Sequence, residues 1–276
     1  MDIHEIGYLY VAAGDKYINE AIVSAESLKR LNDSVHITLI TDKDLENSPF
    51  DQIIIRPVAI RGAPDGWLYK VRHMYEDTPY ERTLFLDTDT YFCEDCQDLF
   101  ETLDFFDMAM ALAPADPNQP KSPKTNNPLV ACKPYNTGII LFKKSANNDV
   151  LFRKWLEMYE KKVASQNVAE WDGSLGRFEG DQPVFLEAWL QSDSKICTLS
   201  NAWNARSPLF FNWNEPIKII HGRHKDFEAI KNEMNREWGS EKVVKTRFWL
   251  PGKNMSMLFD RRTGTIFGDP CRYMGE

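Results

Sequence analysis

The stretch RTLFLDTDTYFC, residues 82–93, is where the fold declares itself. Thr83, Leu84, Phe85 and Leu86 form an apolar run suited to a buried strand. The run then ends on Asp87 and Asp89, one residue apart. Two close carboxylates repel each other, and a core accepts neither without a partner. Two readings follow. The strand runs into an exposed turn in which Asp serves turn chemistry, or the pair of carboxylates is built to hold a cation.

The flanking chain places this strand among others. Residues 6–12 read as a buried strand, broken at Gly14 and Asp15. Over 17–31, Ile18, Ile22, Ala25 and Leu28 fall at helical spacing. Strands are predicted over 35–40 and 52–58, and a helix over 64–76 with Pro64 at its start. Downstream come a short helix over 95–103 and a strand over 107–112. Residues 113–134 hold six prolines and little periodicity. A loop of that length in a compact domain is usually functional. A strand over 137–142 follows, then a helix over 149–163 built on Val150, Leu151, Trp155, Met158 and Tyr159. A further helix over 180–189 carries Pro183 in its first turn. A strand over 217–220 ends on His221 and Gly222, and 257–267 reads as a hairpin.

Alternating strands and helices predict an α/β domain with a mostly parallel central sheet wrapped by helices. With 276 residues and no evident linker or repeat, the chain reads as one domain over 1–276. In such sheets ligands bind beyond the carboxyl ends of the strands. Asp87 and Asp89 lie just past such an end, which favours the cation-holding reading.

The net charge is −8, which argues against a broad nucleic-acid surface. An acidic protein still binds a phosphorylated small molecule when a metal ion bridges the two. The eight Trp and ten Tyr suit stacking on bases or sugars, and suit a filled core equally. No phosphate-binding loop of the Gly-x-x-x-x-Gly-Lys-Ser/Thr type occurs. Five cysteines at irregular spacing, no secretory leader pattern and no apolar run of membrane-spanning length lead to the expectation of a cytoplasmic protein without a transmembrane segment.

Three short stretches carry chemistry: Asp87-Thr88-Asp89, Gly180-Asp181-Gln182 and His221-Gly222-Arg223-His224-Lys225. Two carboxylates and an imidazole make a mixed oxygen and nitrogen site. That donor set suits Mn²⁺ or Mg²⁺ with positions left open for phosphate oxygens. His221 alone also reads as a hydrogen-bonded strand end, and Lys225 as a solvated lysine. Cys93-x-x-Cys96 with His221-x-x-His224 has the ligand types of a zinc site; buried reduced cysteines account for the first pair as well.

Taken in order, these motifs resemble those of nucleotide-sugar glycosyltransferases of the GT-A fold, most of all the retaining family 8 group that includes glycogenin and bacterial galactosyltransferases. The resemblance runs from Ile6 to about Lys225. Its elements are Leu84-Phe-Leu-Asp-Thr-Asp89, Asn136-Thr-Gly138, Gly180-Asp-Gln182 and His221-Gly-Arg-His-Lys225. It implies that Asp87, Asp89 and His221 hold a divalent cation, Mn²⁺ or Mg²⁺. Asp15, Tyr17, Lys70, Thr88, Gly222 and Lys225 would bind the nucleotide-diphosphate sugar. Asp116, Asn136, Asp181 and Gln182 would act around the donor sugar. The implied division is a nucleotide-binding half over 1–112, a donor-sugar and acceptor half over 113–225 and a C-terminal extension over 226–276.

The reaction implied is transfer of a sugar from a UDP-sugar to an acceptor hydroxyl on a carbohydrate, glycan or protein, with retention of anomeric configuration. The chain departs from the pattern at Ala13 and Gly14, which offer no side-chain donor to a base. It departs again at the shortened motif after His221 and in the long segment 113–134. A non-catalytic sugar-nucleotide-binding relic of the same fold is the main alternative. Haloacid-dehalogenase-like phosphatases also end a strand on Asp-x-Asp, but no further carboxylate follows within Gln182-Pro-Val-Phe-Leu186. A nucleotidyltransferase of the same fold would show a glycine-rich basic signature near the first strand, absent from Val11 to Tyr17.

Overall fold

A computed structural model describes residues 4–58, 63–114, 133–165, 180–236, 246–250, 253, 255–260 and 265–267. The first part of the chain forms β1 (His4–Val11), α1 (Asp15–Lys29), β2 (Ile37–Thr41), β3 (Gln52–Ile55), α2 (Ala63–Met74) and β4 (Tyr80–Leu86). Next come β5 (Thr90–Phe92), a 3₁₀ turn (Gln97–Asp104) and β6 (Met108–Ala111). Then follow β7 (Ile139–Lys143), α3 (Ala146–Ser165), α4 (Asp181–Trp189), β8 (Ile196–Leu199), β9 (Ala205–Arg206) and β10 (Phe211–Trp213). The chain continues through β11 (Ile219–His221), α5 (Phe227–Met234), β12 (Thr246–Leu250), β13 (Met255–Asp260) and β14 (Thr265–Phe267).

Seven strands build the central sheet in the order β3-β2-β1-β4-β7-β6-β8. The sheet is mostly parallel, as expected. Only β7 runs against its neighbours, pairing antiparallel with both β4 and β6. That reversal matters for the site. Because β7 starts where β4 ends, Asn136, Thr137 and Gly138 arrive beside Asp87, and the Asp87 N–H donates to the Gly138 carbonyl at 2.6 Å.

The period-2 alternation of the strands fills a core on each face. On one face Leu9, Val11, Phe85, Ile140 and Phe142 pack against Met74, Trp155, Tyr159 and Phe185 of α2, α3 and α4. On the other, Tyr8, Tyr10, Leu84, Leu86 and Leu141 meet Ile18, Ala25 and Leu28 of α1 and Phe100 of the 3₁₀ turn. Each such side chain contributes about 1.5–3 kcal/mol by leaving water. With both faces covered, polar chemistry is confined to the strand ends.

Two smaller sheets flank the main one. β5, β11 and β9 form the first, in the order β5-β11-β9. β10, β12, β13 and β14 form the second, which contains the hairpin expected near the end of the chain. Trp213, Ile220, Ile230 and Trp249 pack between them. β5, β8, β9, β10 and β12 were not foreseen from the sequence; most are too short or too exposed for alternation to register. No helix among the described residues is long and apolar enough to cross a membrane.

Candidate active site

The turn after β4 is held from beneath. Thr90 donates its hydroxyl to the Asp87 carbonyl at 2.9 Å, and lies 2.7 Å from Ser24 Oγ, which in turn is 2.8 Å from the Tyr10 hydroxyl. Beyond the turn β5 pairs with β11 in a register that sets Thr90 opposite His221. The Gly222 N–H donates to the Asp89 carbonyl at 2.8 Å. Residues more than 130 positions apart in the chain are thereby locked side by side.

The result is a convergence of Asp87, Asp89 and His221, with one ligand atom from each lying within 4.8 Å of the others. His221 Nε2 is 3.3 Å from Asp89 Oδ1 and 3.8 Å from Asp87 Oδ2. The glycine of Asn136-Thr-Gly138 is explained here. A Cβ at Gly138 would sit 2.3 Å from His221 Cε1 and 2.6 Å from Asp87 Oδ2, inside the space the three side chains share. Gly222 has φ +140° and its Cβ position is blocked by Ser207 and Pro208, so glycine is required there too.

Positive charge surrounds the carboxylates. Buried Lys70, on α2, places Nζ 2.8 Å from Asp181 Oδ2 and 3.4 Å from Asp87 Oδ1. Burial works to lower the Lys70 pKa, but Asp181 and Asp87 outweigh it and hold the ammonium charged well above the usual lysine range. Arg206 Nη1 and Arg223 Nη1 lie 3.6 and 3.5 Å from Asp89 Oδ2. Burial works to raise the Asp89 pKa. His221, 3.3 Å away, and the two arginines outweigh it and hold the carboxyl well below its usual range. Asp89 is a carboxylate at every pH of interest.

A cavity of about 370 Å³ opens beside this group, lined by Trp67, Lys70, Asp87, Asn136, Asp181, Gln182, Arg206 and His221 among others. Asp181 and Gln182 open α4. Asp181 Oδ2 also accepts from Thr137 Oγ1 at 2.9 Å, and Gln182 Oε1 accepts from the Thr137 N–H at 3.3 Å. Six of the thirteen predicted site residues thus line one pocket, namely Lys70, Asp87, Asn136, Asp181, Gln182 and His221; Asp89 lies 3.3 Å from His221, and Gly222 is held to the Asp89 carbonyl beside it.

The others lie elsewhere. Thr88 donates its hydroxyl to Glu20 Oε2 at 2.9 Å, within the protein. Asp15, at the start of α1, is exposed and ion-paired with Lys43. Tyr17 is 40% exposed, with the Arg223 guanidinium 6.0 Å from its ring centre. Lys225 is exposed and lines a separate cavity of about 580 Å³ with Arg223, His224 and Asp226; the two cavities share Pro208. Asp116 falls outside the described residues. Arg206, Arg223, Glu20 and Asn204 were not singled out from the sequence. Glu20 accepts from Arg223 Nε at 2.7 Å and from Nη2 at 3.0 Å, tying α1 to the segment after β11.

The zinc grouping does not form. Among the described residues, Asp87, Asp89 and His221 are the cluster with metal-binding geometry. Cys93 and Cys96 are buried, and burial pushes the Cys93 thiol up to about 12 and the Cys96 thiol well above its usual value. His224 Nε2 is taken up by Ser207 Oγ.

This is the fold of the GT-A glycosyltransferases. The glycosyltransferase GlyE of Streptococcus pneumoniae TIGR4 superposes with a TM-score of 0.50 at 15% identity, over 88% of this chain and 58% of that one. Mouse xyloside xylosyltransferase 1 gives 0.52 at 16% identity, over 80% and 98%. The bifunctional glycosyltransferase WbbM gives 0.50 at 11% identity, over 80% and 46%. The chain therefore spans about half the length of GlyE and WbbM. No family model matches the sequence, and no curated protein matches it. At these identities the likeness is one of fold.

The residues present fit a divalent cation and a diphosphate. Two carboxylates and an imidazole converge on a space that even one added methyl would fill. Arg206 lines the cavity, and its buried Nη1, 3.6 Å from Asp89 Oδ2, makes no hydrogen bond among the described residues.

Proposed function

We propose that the protein is a metal-dependent glycosyltransferase that moves a sugar from a nucleotide-diphosphate sugar, a UDP-sugar, to an acceptor hydroxyl with retention of anomeric configuration. The observation that carries this reading is the meeting of Asp87, Asp89 and His221 on a cavity walled by Lys70, Arg206, Asn136, Asp181 and Gln182. That meeting occurs at the carboxyl end of the sheet, where such folds bind ligands. The metal is Mn²⁺, or else Mg²⁺, and the acceptor is a hydroxyl of a carbohydrate, glycan or protein. A single domain over 1–276 and a cytoplasmic setting belong to the same proposal and rest on the sequence.

A cation bound by Asp87, Asp89 and His221 would supply Lewis-acid charge to the diphosphate leaving group. Arg206, which lines the cavity beside Asp89, adds positive charge where phosphate oxygens would lie, in a buried setting where charge counts for more than in water. Gly222, beside His221, and Lys225, which lines the second cavity, are assigned to the diphosphate by resemblance. Lys70 fixes Asp181 through a 2.8 Å ion pair, and Thr137 fixes it from a second side. A carboxylate held in this way stabilises positive charge that develops on the sugar ring as the bond to phosphate loosens. Gln182, pinned by the Thr137 N–H, adds its amide dipole. The acceptor hydroxyl then attacks from the leaving-group side and passes its proton to the departing phosphate oxygen. Asp15, Tyr17 and Thr88 for the nucleotide, and Asp116 for the sugar, complete the proposal by resemblance.

Thermal melting with nucleotide sugars and nucleoside diphosphates, with and without Mn²⁺, tests it. UDP or a UDP-sugar at 100 times its Kd is expected to stabilise by about 2.7 kcal/mol, only when Mn²⁺ is present. A Mn²⁺-dependent shift with GDP alone moves the base assignment. No shift with any nucleotide overturns the reading, whereas a shift without turnover of the donor favours the sugar-nucleotide-binding relic.

A further inference from the structure

Behind His221 lies a row of amides whose polarity is set by the backbone. His221 Nδ1 is 2.9 Å from Asn204 Oδ1. Asn204 Nδ2 is 3.0 Å from Asn136 Oδ1. The Gly138 N–H donates to the same Asn136 Oδ1 at 3.0 Å. Asn204 and His221 are all but sealed from solvent, at 3% and 1% exposure, and Asn136 is buried beside them. Each group therefore depends on its neighbour for satisfaction.

A side-chain amide can be turned over and an imidazole can exchange tautomers, so neither alone defines who donates. A backbone N–H has no such choice. The Asn136 atom that faces Gly138 N must be oxygen. The Asn204 atom that faces that oxygen must then be the NH₂ nitrogen. The remaining Asn204 atom, which faces His221, is the carbonyl oxygen. An oxygen that only accepts requires a proton on Nδ1. In the neutral ring, the other nitrogen then carries the lone pair. That nitrogen is Nε2, the one that lies 3.3 Å from Asp89 Oδ1 and 3.8 Å from Asp87 Oδ2.

We propose that Asn204 is a positioning residue for the metal centre. Its carbonyl, oriented through Asn136 by the Gly138 N–H, keeps His221 in the Nδ1–H form and its Nε2 lone pair on the cation held with Asp87 and Asp89. The metal half of this rests on the function proposed above; the tautomer half stands on the hydrogen-bond row alone. Outer partners of this kind fix ring orientation and raise the basicity of the ligating nitrogen. Asn204 caps the 3₁₀ turn Asn201–Trp203 with φ −155°, directly before β9, so its place is set by the fold rather than by a flexible loop. The row also gives Asn136 a second role. Its carbonyl oxygen is spent on two donors, and its NH₂ makes no side-chain hydrogen bond among the described residues.

Two measurements test the proposal. The ¹⁵N shifts of His221 in the metal-free protein, labelled at histidine, report the tautomer directly and need no activity. A protonated Nδ1 is expected; a bare Nδ1 overturns the row. Mn²⁺ titration followed by electron paramagnetic resonance then compares the wild type with Asn204→Leu and Asn204→Asp. In Asn204→Leu the ring is free to carry its proton on Nε2, and Mn²⁺ affinity is expected to fall about 10–100-fold. Asn204→Asp keeps an acceptor for Nδ1–H but sets a carboxylate oxygen where the NH₂ met Asn136 Oδ1; its Mn²⁺ affinity is expected to fall less than about tenfold, and less than that of Asn204→Leu.

Wild-type affinity in Asn204→Leu overturns the proposal. If Asn204→Leu does not fold, the wild-type spectrum and the Asn204→Asp titration still decide. The two failures are separable: a wild type with Nδ1–H that binds no Mn²⁺ sinks the metal role and the function proposed above, whereas one that binds Mn²⁺ with Nδ1 bare sinks the positioning role alone.

Discussion

At the amino ends of β1, β2 and β4, polar side chains close on one another. The Tyr80 hydroxyl lies 2.7 Å from His36 Nδ1 and 2.6 Å from Thr38 Oγ1, and the His4 and His36 rings stack at 4.1 Å. At the carboxyl end of the same sheet the polar groups converge without closing. Asp87, Asp89 and His221 point their ligand atoms into one space, and Arg206 Nη1 has no hydrogen-bond partner among the described residues. The first arrangement spends its donors and acceptors on stability. The second leaves them in reserve, and such reserve is worth its cost only when a ligand supplies the missing partners.

Substitutions at the two ends are expected to part company accordingly. The largest effect is on turnover: Asp89→Asn lowers the metal-dependent release of nucleoside diphosphate from the donor by about 1000-fold. Circular dichroism should show the fold intact, and wild-type turnover would remove Asp89 from the metal site. Lys70→Met comes next. It leaves Asp181 buried without its cation and is expected to cost about 3–5 kcal/mol in urea denaturation; a neutral result would show that the Lys70–Asp181 pair does not stabilise the fold.

A pair of glycines sharpens the contrast. A Cβ at Gly7 would meet the Tyr80 ring at 2.0 Å, whereas one at Gly138 would meet His221 and Asp87. Gly7→Ala is expected to cost about 1–3 kcal/mol of stability through overpacking and to leave Mn²⁺ affinity unchanged. Gly138→Ala is expected to weaken Mn²⁺ binding at least about tenfold, as displaced ligand positions do. Equal losses of metal affinity in both would show that the two ends are not independent.

The smallest effect is that of pH. Burial lowers the His36 pKa, with the charges of His4 and Lys29 acting in the same direction and Asp51 against them. The unfolded chain therefore binds more protons than the native one below about pH 6.5, the ordinary histidine value. Stability from this group is fully present above that pH and is lost as the pH falls below it. His73 is lowered in the same sense, by burial working against Asp77. A melting temperature that falls as the pH drops below about 6.5, with a shallower fall in His36→Asn, is the expected outcome. A slope unchanged in that variant assigns the effect to other histidines.

The fold was legible wherever an element was long enough to repeat its pattern. β1, β4 and β7 were read within a few residues of their observed bounds, as were α1, α2 and α3, because each carries a full face of apolar positions to the core. β5 and β9, of three and two residues and without an apolar run of their own, carry no usable pattern, and they are the partners that pair with β11 and bring His221 to Asp89. The antiparallel course of β7 was equally hidden, since a buried strand shows the same apolar run in either direction.

For the site, the sequence by itself supplied the reactive groups that sit in short contiguous motifs: Asp87 and Asp89 at a strand end, Asp181 and Gln182 at a helix start, His221 after a buried strand. A strand that must be buried delivers whatever follows it to the sheet's edge, so local pattern was sufficient. Only the tertiary structure decided which charges face them. Lys70 reaches Asp181 from another helix, Arg223 reaches Glu20 across 203 positions, and Asn204 meets His221 from a turn without any motif. Those contacts depend on how three sheets pack. Packing is fixed by the summed burial of many apolar side chains, and no short stretch of sequence carries that sum.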